Sequence, residues 1–216
     1  MIKLQSFIVR RDDMSHDEFR DYWLNEHVPL AKELPGLRRY RTAVPVTPDR
    51  SRYDGIAELY FDTVGAFESV LGPESDTPAI EDVANFEKRA DRCLVTETVR
   101  YNDPRSDGPK LKLVAVVSRC EGVSHEAFVD ECFRGGILER PSSLRKLTTA
   151  EPVDGHETYD GVVECYFDGL GELDAATFSD ETEQNGSAVD LPLDTSLVGD
   201  VESHVVEEQV HLDVTE

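Results

Sequence analysis

The sequence predicts an α+β fold made of two tandem copies of one β-α-β-β-α-β unit. Three observations carry that prediction. The first is an internal repeat: Tyr53-Asp54-Gly55-Ile56-Ala57-Glu58-Leu59-Tyr60-Phe61-Asp62 returns 106 residues later as Tyr159-Asp160-Gly161-Val162-Val163-Glu164-Cys165-Tyr166-Phe167-Asp168, with seven of ten positions identical. The second is that flanking segments repeat at similar offsets. Lys3-Leu4 with Arg10 returns as Lys112-Leu113 with Arg119, and Ser15-His16 with Phe19 returns as Ser124-His125 with Phe128. The third is the hydropathy pattern, which gives both copies the same order of elements. A period above 100 residues is far longer than a solenoid repeat, so the pattern is that of a duplicated domain.

Each element of the unit has a local reason. Residues 2–11 are rich in Ile, Leu, Phe and Val with little polar alternation, as in a strand covered on both faces. Ser15 followed by Glu18 forms a capping box that opens a helix. That helix is expected to stop near Leu30, with Pro29 and then Pro35-Gly36 as the breakers. Leu37–Val46 and Tyr53–Asp62 read as strands, with Asp54-Gly55 as turn chemistry before the second. A helical region over residues 63–88 breaks near Gly72-Pro73, and a last strand runs over Cys93–Tyr101.

This order is the ferredoxin-like unit. Its four-stranded antiparallel sheet leaves one apolar face to be covered. The tandem copy is the expected cover, with the two sheets packed face to face as an α+β barrel within one chain. The chain is then a pseudo-dimer in itself, and a further homodimer stays open. Asn102–Pro109, with two prolines, marks the joint. The expected division is a first domain over 1–102, a linker over 103–109 and a second domain over 110–216.

Composition narrows the function classes. The 216 residues include 45 acidic and 22 basic ones, for a net charge of −23. A surface this negative repels nucleic acid and anionic membrane, so neither is an expected partner. The acids are spread through the chain, and Arg outnumbers Lys by 16 to 6. That pattern is expected of a halophilic, salt-adapted protein whose carboxylates hold water and cations. No apolar run reaches the roughly 18–20 residues of a membrane helix, and the N-terminal residues alternate like a strand rather than a signal peptide. The expected location is the cytoplasm. Cys93, Cys120, Cys132 and Cys165 lack metal-site spacing and read as small apolar residues.

The chemistry-bearing segment is Tyr22-Trp23-Leu24-Asn25-Glu26-His27-Val28-Pro29-Leu30. Phe19, Trp23 and His27 share one helix stripe at i, i+4 and i+8, and Trp23 is the only tryptophan of the chain. His27 titrates near neutrality and can donate or accept a proton. A place in the last helical turn would favour its charged form. The bland alternative makes Phe19 and Trp23 core residues and His27 a helix cap. His16 and His125 read as solvated helix starts. His204 and His211, seven apart in the last strand, point to opposite faces, which argues against a shared metal. Asp180–Glu183 reads as a solvated acidic loop, and residues 171–200 carry few large apolar residues, so the last helix is expected to be shortened.

The run Ser15-His16-Asp17-Glu18-Phe19, Tyr22-Trp23 and His27-Val28-Pro29-Leu30, followed by Tyr53-Asp54-Gly55 with Glu58, Phe61 and Asp62, resembles the EthD family. The resemblance covers the first 101 residues well and residues 110–212 more weakly. It implies the dimeric α+β barrel superfamily, whose members include cofactor-independent monooxygenases, decarboxylases, dehydratases, isomerase-like proteins and haem enzymes. It also implies that His27 is the residue acting on a ligand, with Tyr22 and Trp23 beside it. Tyr40, Asp54, Glu58 and Phe61 are further candidates for the same cavity, from strand placement. No metal or cofactor is expected, and the expected ligand is a small apolar or aromatic molecule.

The second copy departs from the motif. At an offset of 109, Trp23 becomes Cys132, His27 becomes Gly136 and Pro29 becomes Leu138. One site per chain is therefore expected, in copy one. Three functions compete: a metal-free lyase, isomerase or monooxygenase-like enzyme with His27 as acid or base; a non-catalytic accessory or ligand-carrier protein; and a haem-binding barrel protein.

Overall fold

The computed structural model describes residues 1–72, 75–104, 111–137, 141–153, 159–177 and 191–214, with only the backbone of 174–177. The expected acidic loop at Asp180–Glu183 and most of the linker lie outside the described residues. Eight strands are described: β1 Ile2–Arg10, β2 Leu37–Pro45, β3 Gly55–Phe61, β4 Glu87–Asn102, β5 Leu111–Arg119, β6 Lys146–Pro152, β7 Gly161–Phe167 and β8 Val198–Asp213. The helices are α1 His16–Tyr22, α2 Val28–Lys32, α3 Val64–Leu71, α4 Pro78–Asp82, α5 His125–Phe128 and α6 Leu170–Thr177. The fold is mixed α+β. None of the described helices is long and apolar enough to cross a membrane.

The chain forms two compact units, Met1–Thr96 with Glu207–Glu216, and Glu97–Val206. Both long strands, β4 and β8, are divided between them. In the first unit the strands are hydrogen-bonded in the order β4-β1-β3-β2-β8. The β1–β3, β1–β4 and β2–β3 pairs are antiparallel. In the second unit the order is β8-β5-β7-β6-β4, with antiparallel β5–β7 and β6–β7.

The core of the first unit lies between its helices and one sheet face. It gathers Ile8, Phe19, Trp23, Val28, Tyr40, Ala57, Leu59, Phe61 and Phe86, with Leu212 of β8 packed at its edge. The second unit has a matching core of Leu113, Ala115, Phe128, Phe133, Leu147, Val163, Cys165 and Phe167.

The helical connection after β1 ends two residues beyond the expected Leu30, but it is not one regular α-helix. Ser15 makes the full capping box with Glu18. The helix then does not stop at Pro29. It passes through a π-turn over Trp23–His27, where Val28 N–H donates to Trp23 C=O, and runs on as α2 to Lys32. Pro29 has no N–H and its ring would crowd the carbonyl four residues back. A widened turn relieves that crowding and keeps the helix continuous. The second unit also has a π-turn, at Val129–Phe133, but its helix ends there.

Gly55 also has a different reason from turn formation. It opens β3, and a Cβ there would stand 2.5 Å from Cζ3 and 2.8 Å from Cη2 of Trp23. The glycine lets the indole lie on the strand. In the second unit the ring of Phe133 lies over Gly161 in the same way. The aromatic lid of the strand is therefore kept in copy two, one residue after Cys132, which corrects the expectation that the aromatic group was lost. The start of β4 was unexpected too. The helical region is expected to reach residue 88 and the strand to begin at Cys93, yet Glu87–Arg92, with five charges, pair with β1 from Arg10 to Ser6.

Candidate active site

A cavity of about 70 Å³ opens between the Trp23–His27 turn, α2, α4 and the sheet of the first unit. Its walls are mainly apolar, with Leu4, Ile8, Ala57 and Leu59 from the strands and Ala31 and Phe86 from the helical side. Six residues with polar groups line it: Ser6, Trp23, His27, Tyr40, Glu87 and Arg92, with Trp23 and His27 both from the π-turn.

His27 is buried, with its side chain 10% exposed. Its Nδ1 lies 3.0 Å from Asp82 Oδ2, and its ring packs on Phe86 with centroids 4.5 Å apart. Asp82 is gripped from two further sides. Tyr22 O–H donates to Oδ1 at 2.7 Å, and Asn85 Nδ2 donates to the same oxygen at 2.8 Å. Burial alone would raise the Asp82 carboxyl, but hydrogen bonds from Tyr22, Asn85 and His27 outweigh it and hold it below the usual range. Asp82 is thus an anion that accepts from Nδ1–H, which fixes the tautomer and leaves Nε2 as the acceptor nitrogen.

The charge state of His27 is opposite to the expectation. Burial lowers its pKa, and the neighbouring Asp82 only partly offsets this, while Arg92 adds to the lowering. The helix continues for five residues beyond it through α2, so no helix C-terminus stabilises the cation. His27 is a neutral imidazole with a carboxylate behind it.

Tyr40 lines the cavity, 1% exposed. Burial pushes its phenol well up, so it stays protonated. His211 of β8 packs on its ring at 5.5 Å and meets Thr42 Oγ1 at 2.7 Å. Tyr22 touches the site through Asp82 rather than as a wall of the cavity.

The other three candidates lie elsewhere. Phe61 is in the same core, against Phe67 at 6.1 Å, but does not line the cavity. Asp54 sits at the opposite end of β3. It accepts Arg10 N–H at 2.9 Å and stands 2.7 Å from His16 Nδ1. His16 is therefore tied to a buried carboxylate rather than simply solvated. Asp160 repeats this role with Arg119 N–H at 2.8 Å.

Glu58 projects from the other face of β3, because Ala57 and Leu59 on either side of it face the cavity. There it pairs with Lys3 at 3.8 Å, both almost wholly buried. Lys112 and Glu164 repeat that pair at 3.4 Å in the second unit.

Sequence reasoning missed Asp82, Asn85, Phe86 and Arg92. Asp82 is one of 45 acids, and nothing local distinguishes it. The only signal was the i, i+5 spacing of Tyr22 and His27, which a π-turn brings to one carboxylate. Among the described residues, no group of three or more His, Cys, Asp or Glu could hold a metal.

Residues 11–89 match the EthD domain family, and the segment holds the Trp23–His27 turn, Tyr40, β3 and Asp82. The whole chain resembles three solved structures. An anthrone oxidase-like protein matches at a TM-score of 0.66 and 10% identity, over 99% of this chain and 94% of its own. A candidate monooxygenase from Lactobacillus acidophilus NCFM matches at 0.53 and 10%, over 98% and 95%. One from Fusobacterium nucleatum matches at 0.58 and 7%, over 98% and 93%. At such identities the likeness is one of fold. No curated protein matches the chain. Apart from Leu4, Ser6, Ile8 and Arg92, every wall of the cavity falls within the matched segment.

Proposed function

We propose that the protein is a small-molecule enzyme whose EthD domain removes or delivers a proton through His27 Nε2, with no metal or cofactor in that step. The carrying observation is the line Tyr22–Asp82–His27, with contacts of 2.7 and 3.0 Å, ending at an apolar cavity. A neutral imidazole oriented by a carboxylate is a base near neutral pH. The apolar walls suit a small apolar or aromatic ligand with an enolisable or phenolic group. The neighbours named for monooxygenase and anthrone oxidase chemistry support an enzyme rather than a carrier. Decarboxylation, dehydration, isomerisation and oxygen insertion can each start from a proton transfer of this kind. In the same reading each unit is a ferredoxin-like unit, supported by its β-α-β-β-α-β order. The second copy has no histidine in its π-turn and serves as scaffold.

The minimal test is exchange of enolisable C–H protons for solvent deuterium, followed by NMR on a set of small ketones and phenols. Wild type is expected to catalyse exchange and His27→Gln to lose about 10²–10⁴-fold of it. Equal exchange by both proteins would overturn the assignment. Saturable binding without exchange by wild type would point to the accessory, ligand-carrier function instead.

A further inference from the structure

The cavity also holds two buried donors that proton transfer through His27 does not use. Trp23 is fully buried, and its Nε1–H, beside the Tyr40 hydroxyl, makes no hydrogen bond of full geometry among the described residues. Buried N–H groups are nearly always paired, so one facing a cavity points to a ligand acceptor. The orientation is imposed by packing. Gly55 lies under Cε3, Cζ3 and Cη2, and Phe19 stacks on the ring with centroids 5.4 Å apart. The benzo edge is pinned on β3, which directs the Nε1 edge away from Gly55. Tyr40 lines the same cavity, and burial outweighs the neighbouring indole and holds its phenol protonated. Its phenol therefore remains an O–H donor.

We propose that Trp23 Nε1–H and Tyr40 O–H together receive the carbonyl oxygen of a neutral, enolisable ketone-type substrate. The idea rests on the reading of His27 as the base. His27 Nε2 takes the α-proton, and the C–H electron pair becomes the new C=C bond. The carbonyl π pair moves onto oxygen, where the two donors stabilise the enolate charge. Returning the proton regenerates the ketone, so the step needs no oxidant or reductant. Donors aimed at developing charge in a site with little water are a strong source of rate enhancement. Substrate selection then follows the oxygen acceptor rather than apolar bulk alone.

Trp23 is the single tryptophan of the chain, so its indole gives one resolved ¹H–¹⁵N resonance. The ¹⁵N-labelled full chain would be titrated with cyclohexanone and with methylenecyclohexane, which replaces C=O by C=CH₂ at nearly the same shape. The ketone is expected to move the indole proton downfield in a saturable way and to bind about tenfold tighter than the alkene. Tyr40→Phe should remove most of that preference while leaving alkene binding within about twofold. Equal binding of ketone and alkene, an unmoved indole resonance, or no saturation at tens of millimolar ketone would overturn the donor pair. His27→Gln should keep the ketone-dependent shift. A shift without deuterium exchange in wild type would leave the donor pair standing and overturn the base instead.

Discussion

Replacing Gly55 by alanine tests the packing that places Trp23. The added Cβ would stand 2.5, 2.8 and 3.2 Å from Cζ3, Cη2 and Cε3 of the indole. Carbon atoms sit comfortably at about 3.5–4.0 Å, so the ring must retreat by about 1 Å. It has little room to do so, being fully buried and stacked on Phe19. Overpacking of this kind costs about 1–3 kcal/mol. Gly171 is the matched control. It lies in α6, and a Cβ there meets nothing within 4 Å, so Gly171→Ala should be neutral or stabilising by up to about 1 kcal/mol. Urea denaturation at one fixed salt concentration gives both values. The emission maximum of Trp23, the only tryptophan, reports whether the ring has shifted. A Gly55→Ala protein within about 0.5 kcal/mol of wild type, with unchanged emission, would refute the reasoning.

Three further outcomes follow from the same structure. His27 has a folded-state pKa below its unfolded value near 6.5, so the unfolded chain binds the proton more readily. Its contribution to stability is present at neutral pH and is lost as pH falls below about 6.5 towards the folded value; His27→Gln should flatten that part of the stability–pH curve, and an unchanged slope would count against burial as the cause. Asp82→Asn removes the charge that partly supports the imidazolium, so any base-limited rate should inflect at lower pH, as a kcat/KM profile would show. Lys3→Met deprives the buried Glu58 carboxylate of its Lys3 partner and should destabilise by about 3–5 kcal/mol, whereas the Lys3→Met/Glu58→Leu pair should recover much of that, as urea midpoints would reveal. Salt adaptation remains a proposal from composition: the melting temperature should climb between low salt and molar KCl, and a flat response would dismiss it.

Much of the order of elements was legible in the sequence, as were the repeated strand segments and the Trp23–His27 candidate site. Tyr53–Asp62 and Tyr159–Asp168 are nearly the same string because both build the central strand of a sheet, and strand burial is written in local hydropathy. The capping box at Ser15 is local as well, and it formed as read. Trp23 and His27 stood out as a rare aromatic and a titratable group on one helix stripe. The tertiary structure decided what those residues face. Asp82 lies 55 residues from His27, so only folding makes it the partner that fixes the tautomer. Burial, which no spacing encodes, lowers the His27 pKa where the helix-end placement had implied a raised one. Strand parity sent Glu58 to the face opposite Ala57 and Leu59, away from the cavity. The retained glycines, Gly55 and Gly161, were legible as residues but not as reasons, because the rings that need their missing Cβ atoms come from helices 32 and 28 residues earlier. Local patterns thus specified the elements, and long-range packing assigned their chemistry.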